Sequence, residues 1–430
     1  MSAKTSIPRS MRSFIAASIA APLLGACGSS GDDLRAPGPP GDASSSAETS
    51  VPDARMDGSV GQESGADGGV LTVKLSGCSA FSYQAPVAVG SQSFDLVLDT
   101  GSTTLAVAST SCTDCTGISP EYKPAETAVD DHATASSIYG SGADTGPGWT
   151  GEIYQDTASV GGTHAATTTM RLVAIDTQNQ FFVPEECSSG TVAWQGIVGF
   201  APAADAITGT DGYFDRLVLG GAIANVFATQ LCEPGGFLWL GGYDPAHVTG
   251  PPAYTPLLTT GDGVAAYLVD LEQVVTEGMT AQVHAGSYVE SLIDTGSNQF
   301  FLPPAAFATV TAAIEGNAAF KALFGSNGPS FFTGQSCVTL APTKSELDEM
   351  LPGLTLTFGA NAAISIAATA TESYLVPVGG GSWCTGMEAS APGPDFPFAA
   401  DLGAPVLRSN VVVFDRAHAR VGFAPHGACP

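Results

Sequence analysis

A chain of 430 residues, 44% hydrophobic and only 13% charged, has enough apolar material for two packed units, or for one bilobal unit with a tail. Its net charge of −27 at pH 7 repels phosphate backbones and so excludes nucleic acid as a partner. The charge divides as +3 over residues 1–27, −6 over 28–70 and −24 over 71–430. Such a surface suits work in acid, where many carboxylates are protonated, and equally serves solubility.

The first 27 residues read as an export signal. Lys4, Arg9 and Arg12 precede an apolar stretch from Phe14 to Ala26 that is too short to span a bilayer comfortably. The stretch runs into Leu24-Gly25-Ala26-Cys27, which resembles the lipobox of bacterial lipoproteins. That resemblance implies that Cys27 becomes the lipid-modified first residue of a mature protein held at the outer membrane or surface of the bacterial cell envelope. The alternative is an ordinary cleaved signal and an extracellular protein. Residues 28–70 have the composition of a disordered acidic tether, dominated by Ser, Gly, Asp, Pro and Ala and without aromatics.

Beyond the tether, frequent Gly and Pro punctuate short runs of Val, Leu, Ile, Phe and Thr, which predicts a mainly β fold. The exception is the Ala-rich stretch from Pro304 to Phe324, which reads as helix through Phe307, Val310, Ile314, Phe320 and Leu323. Eight cysteines remain besides Cys27: Cys78, Cys112, Cys115, Cys187, Cys232, Cys337, Cys384 and Cys429. An even number in an exported chain implies disulfides whose pairing the sequence leaves open. For Cys112-Thr113-Asp114-Cys115, with no second CxxC and no CxxH to complete a zinc site, a small loop disulfide is the expected reading.

The informative feature is a repeat. Residues 94–102 read Phe-Asp-Leu-Val-Leu-Asp-Thr-Gly-Ser, and residues 289–297 read Val-Glu-Ser-Leu-Ile-Asp-Thr-Gly-Ser. Each apolar strand runs into an Asp-Thr-Gly-Ser turn and is followed by a second apolar segment. Gly199 of Ile197-Val198-Gly199 then falls 100 residues beyond Asp99, and Gly403 of Asp401-Leu402-Gly403 falls 109 beyond Asp294. Two such copies describe a duplicated protein with lobes over residues 71–255 and 256–430. Each member of the turn has a task. Asp99 and Asp294 supply carboxylates, while Thr100 and Thr295 can bond across to the other lobe. Gly101 and Gly296 let the backbone close on the acid, and Ser102 and Ser297 can hold its outer oxygen.

Further segments follow in chain order. Ile138-Tyr139-Gly140-Ser141-Gly142 opens a hairpin that returns through Thr150 to Asp156. Trp194 to Phe200, Phe237 to Asp244, Val413 to Arg416 and Arg420 to Pro425 complete the series. With the two acid turns, they make nearly all of residues 72–430 resemble the pepsin-like aspartic protease family. The resemblance implies a mainly β, bilobal acid protease fold with the active-site cleft between two duplicated lobes. It implies an aspartic endopeptidase, monomeric and acting on a protein or peptide substrate. There Asp99 and Asp294 share a proton and activate water without metal, organic cofactor or covalent intermediate. Tyr139, Gly140 and Ser141 become the substrate-covering flap, with an ordinary hairpin tyrosine as the alternative reading of Tyr139. Cys337 and Cys384 become a pair.

Four features depart from the family pattern. Ala106 stands where a tryptophan usually bonds the flap tyrosine. The flap tip, Ala143 to Trp149, is longer than usual. Ala404 replaces a polar or acidic residue near the second apolar-Gly strand, and the tether lacks the basic character of a pro-segment, implying direct folding to the active form. The rival reading is a catalytically silent pepsin-like protein that binds, inhibits or serves as a surface component.

Overall fold

The computed structural model describes residues 69–140, 146–161, 166–183, 185–187, 190–258, 266–334, 337–359, 363–393, 396–427 and 429. The segment expected to be an export signal, with Cys27, the expected tether up to Gly68, and Ser141 lie outside these residues. The architecture is mainly β and bilobal, and the same motif is built twice.

In the first half, β1 (Gln92–Asp99) and β2 (Leu105–Ala108) flank the acid turn. The flap strands are β3 (Val129–Ile138) and β4 (Gly148–Val160), and β5 (Gly196–Gly199) closes the motif. β5 lies between the arms of the turn, parallel to β1 (Val97 opposite Ile197) and antiparallel to β2 (Ala106 opposite Ile197). The second half repeats the pattern with β6 (Ser291–Ile293), β7 (Phe300–Leu302) and β8 (Ala400–Leu402). β8 runs parallel to β6 (Leu292 opposite Asp401) and antiparallel to β7 (Phe301 opposite Asp401).

Strand alternation decides where the acids point. Leu96 and Leu98 enter the main core, as do Ile293, Phe300, Leu302 and Leu402 from the second half. Val97 faces the other way, into a cluster with Ala106, Ile197, Tyr139 and Trp149. Leu292 and Phe301 likewise leave the main core for a smaller cluster with Ala266, Phe396 and Phe398. Asp99 and Asp294, two residues beyond Val97 and Leu292, continue on those second faces.

The halves are joined by sheet. The strands Asn410–Asp415 and Arg420–Pro425 belong to a 13-stranded sheet that also contains the first-half strands. The strand Ala253–Pro256, where one lobe is expected to pass into the next, pairs with Arg420–Pro425. Arg416 adds a two-pronged ion pair to Asp215 (Nη2–Oδ1 2.5 Å, Nη1–Oδ2 3.2 Å) and lies over the Phe214 ring. Disulfides link Cys78 to Cys187, Cys112 to Cys115, Cys232 to Cys429 and Cys337 to Cys384.

The Ala-rich segment departs from the single helix expected from its periodicity. It forms two helices, Pro304–Gly316 and Ala318–Phe324, broken at Asn317. Asn317 is extended, and its side chain accepts hydrogen bonds from the backbone N–H groups of Ala319 (2.8 Å) and Phe320 (3.1 Å). This N-cap bond competes with helix continuation and lets Phe320 turn into the core beside Phe324.

Candidate active site

The two acid turns meet. Asp99 ends β1 and is 3% exposed, and Asp294 follows β6 and is fully buried. Their contact is read from the glycines. A Cβ added to Gly101 falls 2.7 Å from the Asp294 carboxyl carbon, and one added to Gly296 falls 2.6 Å from Asp99 Oδ1. Only glycine, with no Cβ, lets each backbone pass so close to the opposite acid.

The threonines lock the turns together. Thr100 Oγ1 donates to the Ile293 carbonyl (2.9 Å) and accepts from the Thr295 N–H (3.0 Å). Thr295 Oγ1 donates to the Leu98 carbonyl (2.7 Å) and accepts from the Thr100 N–H (3.1 Å). Both side chains are essentially buried, so all four bonds act in a low-dielectric setting.

The two carboxyl groups are not equivalent. Asp99 Oδ1 accepts from the Gly101 N–H (2.7 Å), and the Ser102 hydroxyl donates to Asp99 Oδ2. Asp294 Oδ1 accepts from the Gly296 N–H (2.8 Å), but its Oδ2 has no partner among the described residues. Ser297 does not match Ser102. Its hydroxyl donates to the Gln299 carbonyl (3.1 Å) and lies within reach of Asp401. Burial raises the Asp294 pKa well above the ordinary carboxylate range, and the negative charges of Asp99 and Asp401 add to the shift. The Gly296 N–H opposes it. Burial and the neighbouring charges thus favour the neutral form of Asp294, while two donors hold the oxygens of Asp99.

The flap strands bring a tyrosine into this neighbourhood. Tyr139, just beyond β3, is 5% exposed, and its ring stacks on Phe181 at 5.4 Å between centroids. Burial first, and then the charge of Asp99, raise the pKa of its hydroxyl, so the phenol stays neutral and within electrostatic range of the acid. Trp149 Nε1 donates to Tyr139 Oη at 2.9 Å. Trp149 stands on β4 opposite Ser137 and shares its buried cluster with Ala106, the position where the sequence lacks a tryptophan. The sequence contained Trp149, but only the cross-strand register of the hairpin shows that it supplies the indole donor. Gly140 follows at φ 100°, a backbone state that favours glycine and turns the chain toward the flap tip.

Two acids in apposed turns, one favoured in its neutral form by burial and the other held by two donors, can activate a water on an amide carbonyl. Comparison with known proteins agrees. The profile of the family described as "Eukaryotic aspartyl protease" matches residues 82–426. The chain is similar to an aspartic protease of Phaffia rhodozyma, 26% identical over 80% of this chain and 76% of that protein. It is also similar to a β-secretase of Strongylocentrotus purpuratus, 25% identical over 83% of this chain and 68% of that one. Pepsin A of Sus scrofa is 25% identical, over 80% and 81% of the respective chains. With the family profile spanning most of its length and both acid turns inside the match, this chain belongs to the eukaryotic aspartyl protease family and is an aspartic-type endopeptidase.

Proposed function

We propose that Asp99 and Asp294 are the catalytic pair of this endopeptidase, positioned by lobes over residues 71–255 and 256–430. The carrying observation is the reciprocal contact of each acid with the glycine of the opposite turn. In the reactive state the pair holds one proton, which burial and neighbouring charge favour on Asp294. Asp99 takes a proton from a water lying between them, and the resulting hydroxide oxygen bonds to the peptide carbonyl carbon. Asp294 donates a hydrogen bond to the carbonyl oxygen as it becomes tetrahedral. The intermediate collapses when the proton gained by Asp99 passes to the leaving nitrogen and the C–N bond breaks. An extended substrate lies between the lobes beneath Tyr139 and Gly140, with Ser141 continuing the flap.

The reading is tested by digesting denatured protein in acid with and without a statine-type peptide inhibitor. Hydrolysis that the inhibitor abolishes is expected, and inhibitor-insensitive hydrolysis contradicts it. Four disulfides fit an oxidising compartment, and no described helix is long and apolar enough to cross a membrane. We infer that the chain is exported and held at the cell envelope through lipid on Cys27. Replacing Cys27 with Ser should move the protein from membrane to soluble fractions, and a wild type that is already soluble and lipid-free contradicts the anchor.

A further inference from the structure

A third carboxyl lies in the site. Asp401 is fully buried, and neither of its side-chain oxygens has a hydrogen-bond partner among the described residues. An unpaired buried carboxylate is costly, and proteins rarely keep one without use. Its register defines where it points. Asp401 pairs with Leu292 on β6 and with Phe301 on β7, both on the face away from the main core. Asp294 follows Leu292 by two residues on that same face, and its N–H donates to the carbonyl of Leu402, the next residue after Asp401 (3.1 Å). Asp401 is therefore a same-face neighbour of Asp294 on the adjoining strand.

The duplication supplies an internal control. Val97 pairs with Ile197 in the first half as Leu292 pairs with Asp401 in the second, and Ala106 faces Ile197 as Phe301 faces Asp401. The position thus takes an aliphatic residue in one copy of the frame and an acid in the other. The fold does not need an acid there. Ser297 departs in the same way, since its hydroxyl lies within reach of Asp401 but donates to the Gln299 carbonyl, whereas that of Ser102 donates to Asp99.

The charged groups around Asp401 are acids. Asp294 and Glu290 flank β6, Glu388 stands opposite Phe301 on the strand Met387–Ala389 that pairs with β7, and the apposed turn contributes Asp99. Phe396 and Phe398 pack with Leu292 and Phe301, the two residues paired with Asp401. The strand Leu268–Val269, paired with β6, leads to Asp270, which is held by His284 (2.6 Å). No cation figures among the groups that act on Asp401.

We propose that Asp401 is a positioning residue that acts through Asp294, its charge holding the shared proton on the catalytic pair as pH rises. The proposal rests on the assignment of Asp99 and Asp294 above. This effect requires Asp401 to lose its proton while the pair still holds one. Burial holds the proton on Asp401, the nearby Ser297 hydroxyl opposes it and the Asp99 charge adds to it, while Asp294 feels burial and the charges of both Asp99 and Asp401. In strong acid Asp401 is neutral and leaves the pair alone. Once ionised, it opposes the loss of the remaining proton from the pair, so the singly protonated, reactive state persists to higher pH.

The test is the pH dependence of kcat/KM for wild type, Asp401→Asn and Asp401→Ile, the last restoring the residue type of the other copy. Both variants should keep the acid limb of the profile and move the alkaline limb to lower pH by on the order of one unit. The pH dependence of statine-peptide binding, which needs no turnover, should move in parallel. A purely structural role would change thermal stability without moving either limb. If Asp401→Ile fails to fold, the near-isosteric Asp401→Asn decides. Alkaline limbs that coincide with wild type in hydrolysis and in inhibitor binding overturn the proposal while leaving the catalytic pair in place. Hydrolysis that survives Asp99→Asn or Asp294→Asn would instead overturn the assignment of the pair.

Discussion

At the scale of single residues, the threonines carry the most structural consequence. Thr100 and Thr295 each use one oxygen as donor and acceptor, so the two turns are tied by four bonds that involve no solvent. Thr100→Ala removes a donor from the Ile293 carbonyl and the acceptor of the Thr295 N–H, leaving both buried without partners. The expected loss is about 1–3 kcal/mol of unfolding free energy. Chemical denaturation checks it, and an unchanged midpoint would mean that solvent already satisfies these groups. The residues of this lock are readable in the sequence because they stand in two matching tetrapeptides. The inequivalence of Ser102 and Ser297 is not, because it depends on what occupies the neighbouring strand, Ile197 in one case and Asp401 in the other.

At the scale of elements, local signals and cross-strand signals differ in legibility. The acid turns and the apolar-Gly strands are contiguous, and their repetition stands out in the chain. The partner of the flap tyrosine is set by the register of β3 on β4, which brings Trp149 beside Tyr139 across a hairpin. The break of the Ala-rich helix had a local signal, Gly316-Asn317, that apolar periodicity alone overlooks. The flap bond makes a direct prediction. Trp149→Phe keeps an aromatic ring in the cluster but removes the donor to Tyr139 Oη. A lost hydrogen bond of about 1 kcal/mol should lower kcat/KM roughly five-fold, with little change in the folded fraction. Peptide hydrolysis by the purified variant measures it, and wild-type kinetics would show that the flap does not use this bond.

At the scale of the whole molecule, the duplication brings two buried acids together in an acidic protein. Burial raises the pKa values of Asp294 and Asp401, and also those of Asp95 and Glu315. Below their unfolded values, near pH 4, these groups are protonated in both states and impose no penalty. As pH rises toward the folded values, the unfolded chain releases protons that the folded chain retains, so stability falls. Self-repulsion from a net charge of −27 acts in the same direction. Melting temperature should therefore be higher at mildly acid than at neutral pH, and a melt that rises toward neutrality would contradict the burial of these acids. The mainly β class and the two-lobed plan are legible from composition and repeat. The return of Asn410–Pro425 into the joining sheet is not, since long-range strand order leaves no local trace.

The central claim is that Asp99 and Asp294 act as one unit, and it is tested most directly by kcat/KM for Asp99→Asn, Asp294→Asn and the double variant, with folding checked by thermal melt. Each single substitution should abolish peptide hydrolysis in a folded protein, and the double should be little worse than either, because both groups serve the same step. Hydrolysis that survives in either single variant would place the chemistry elsewhere in the chain and contradict the account.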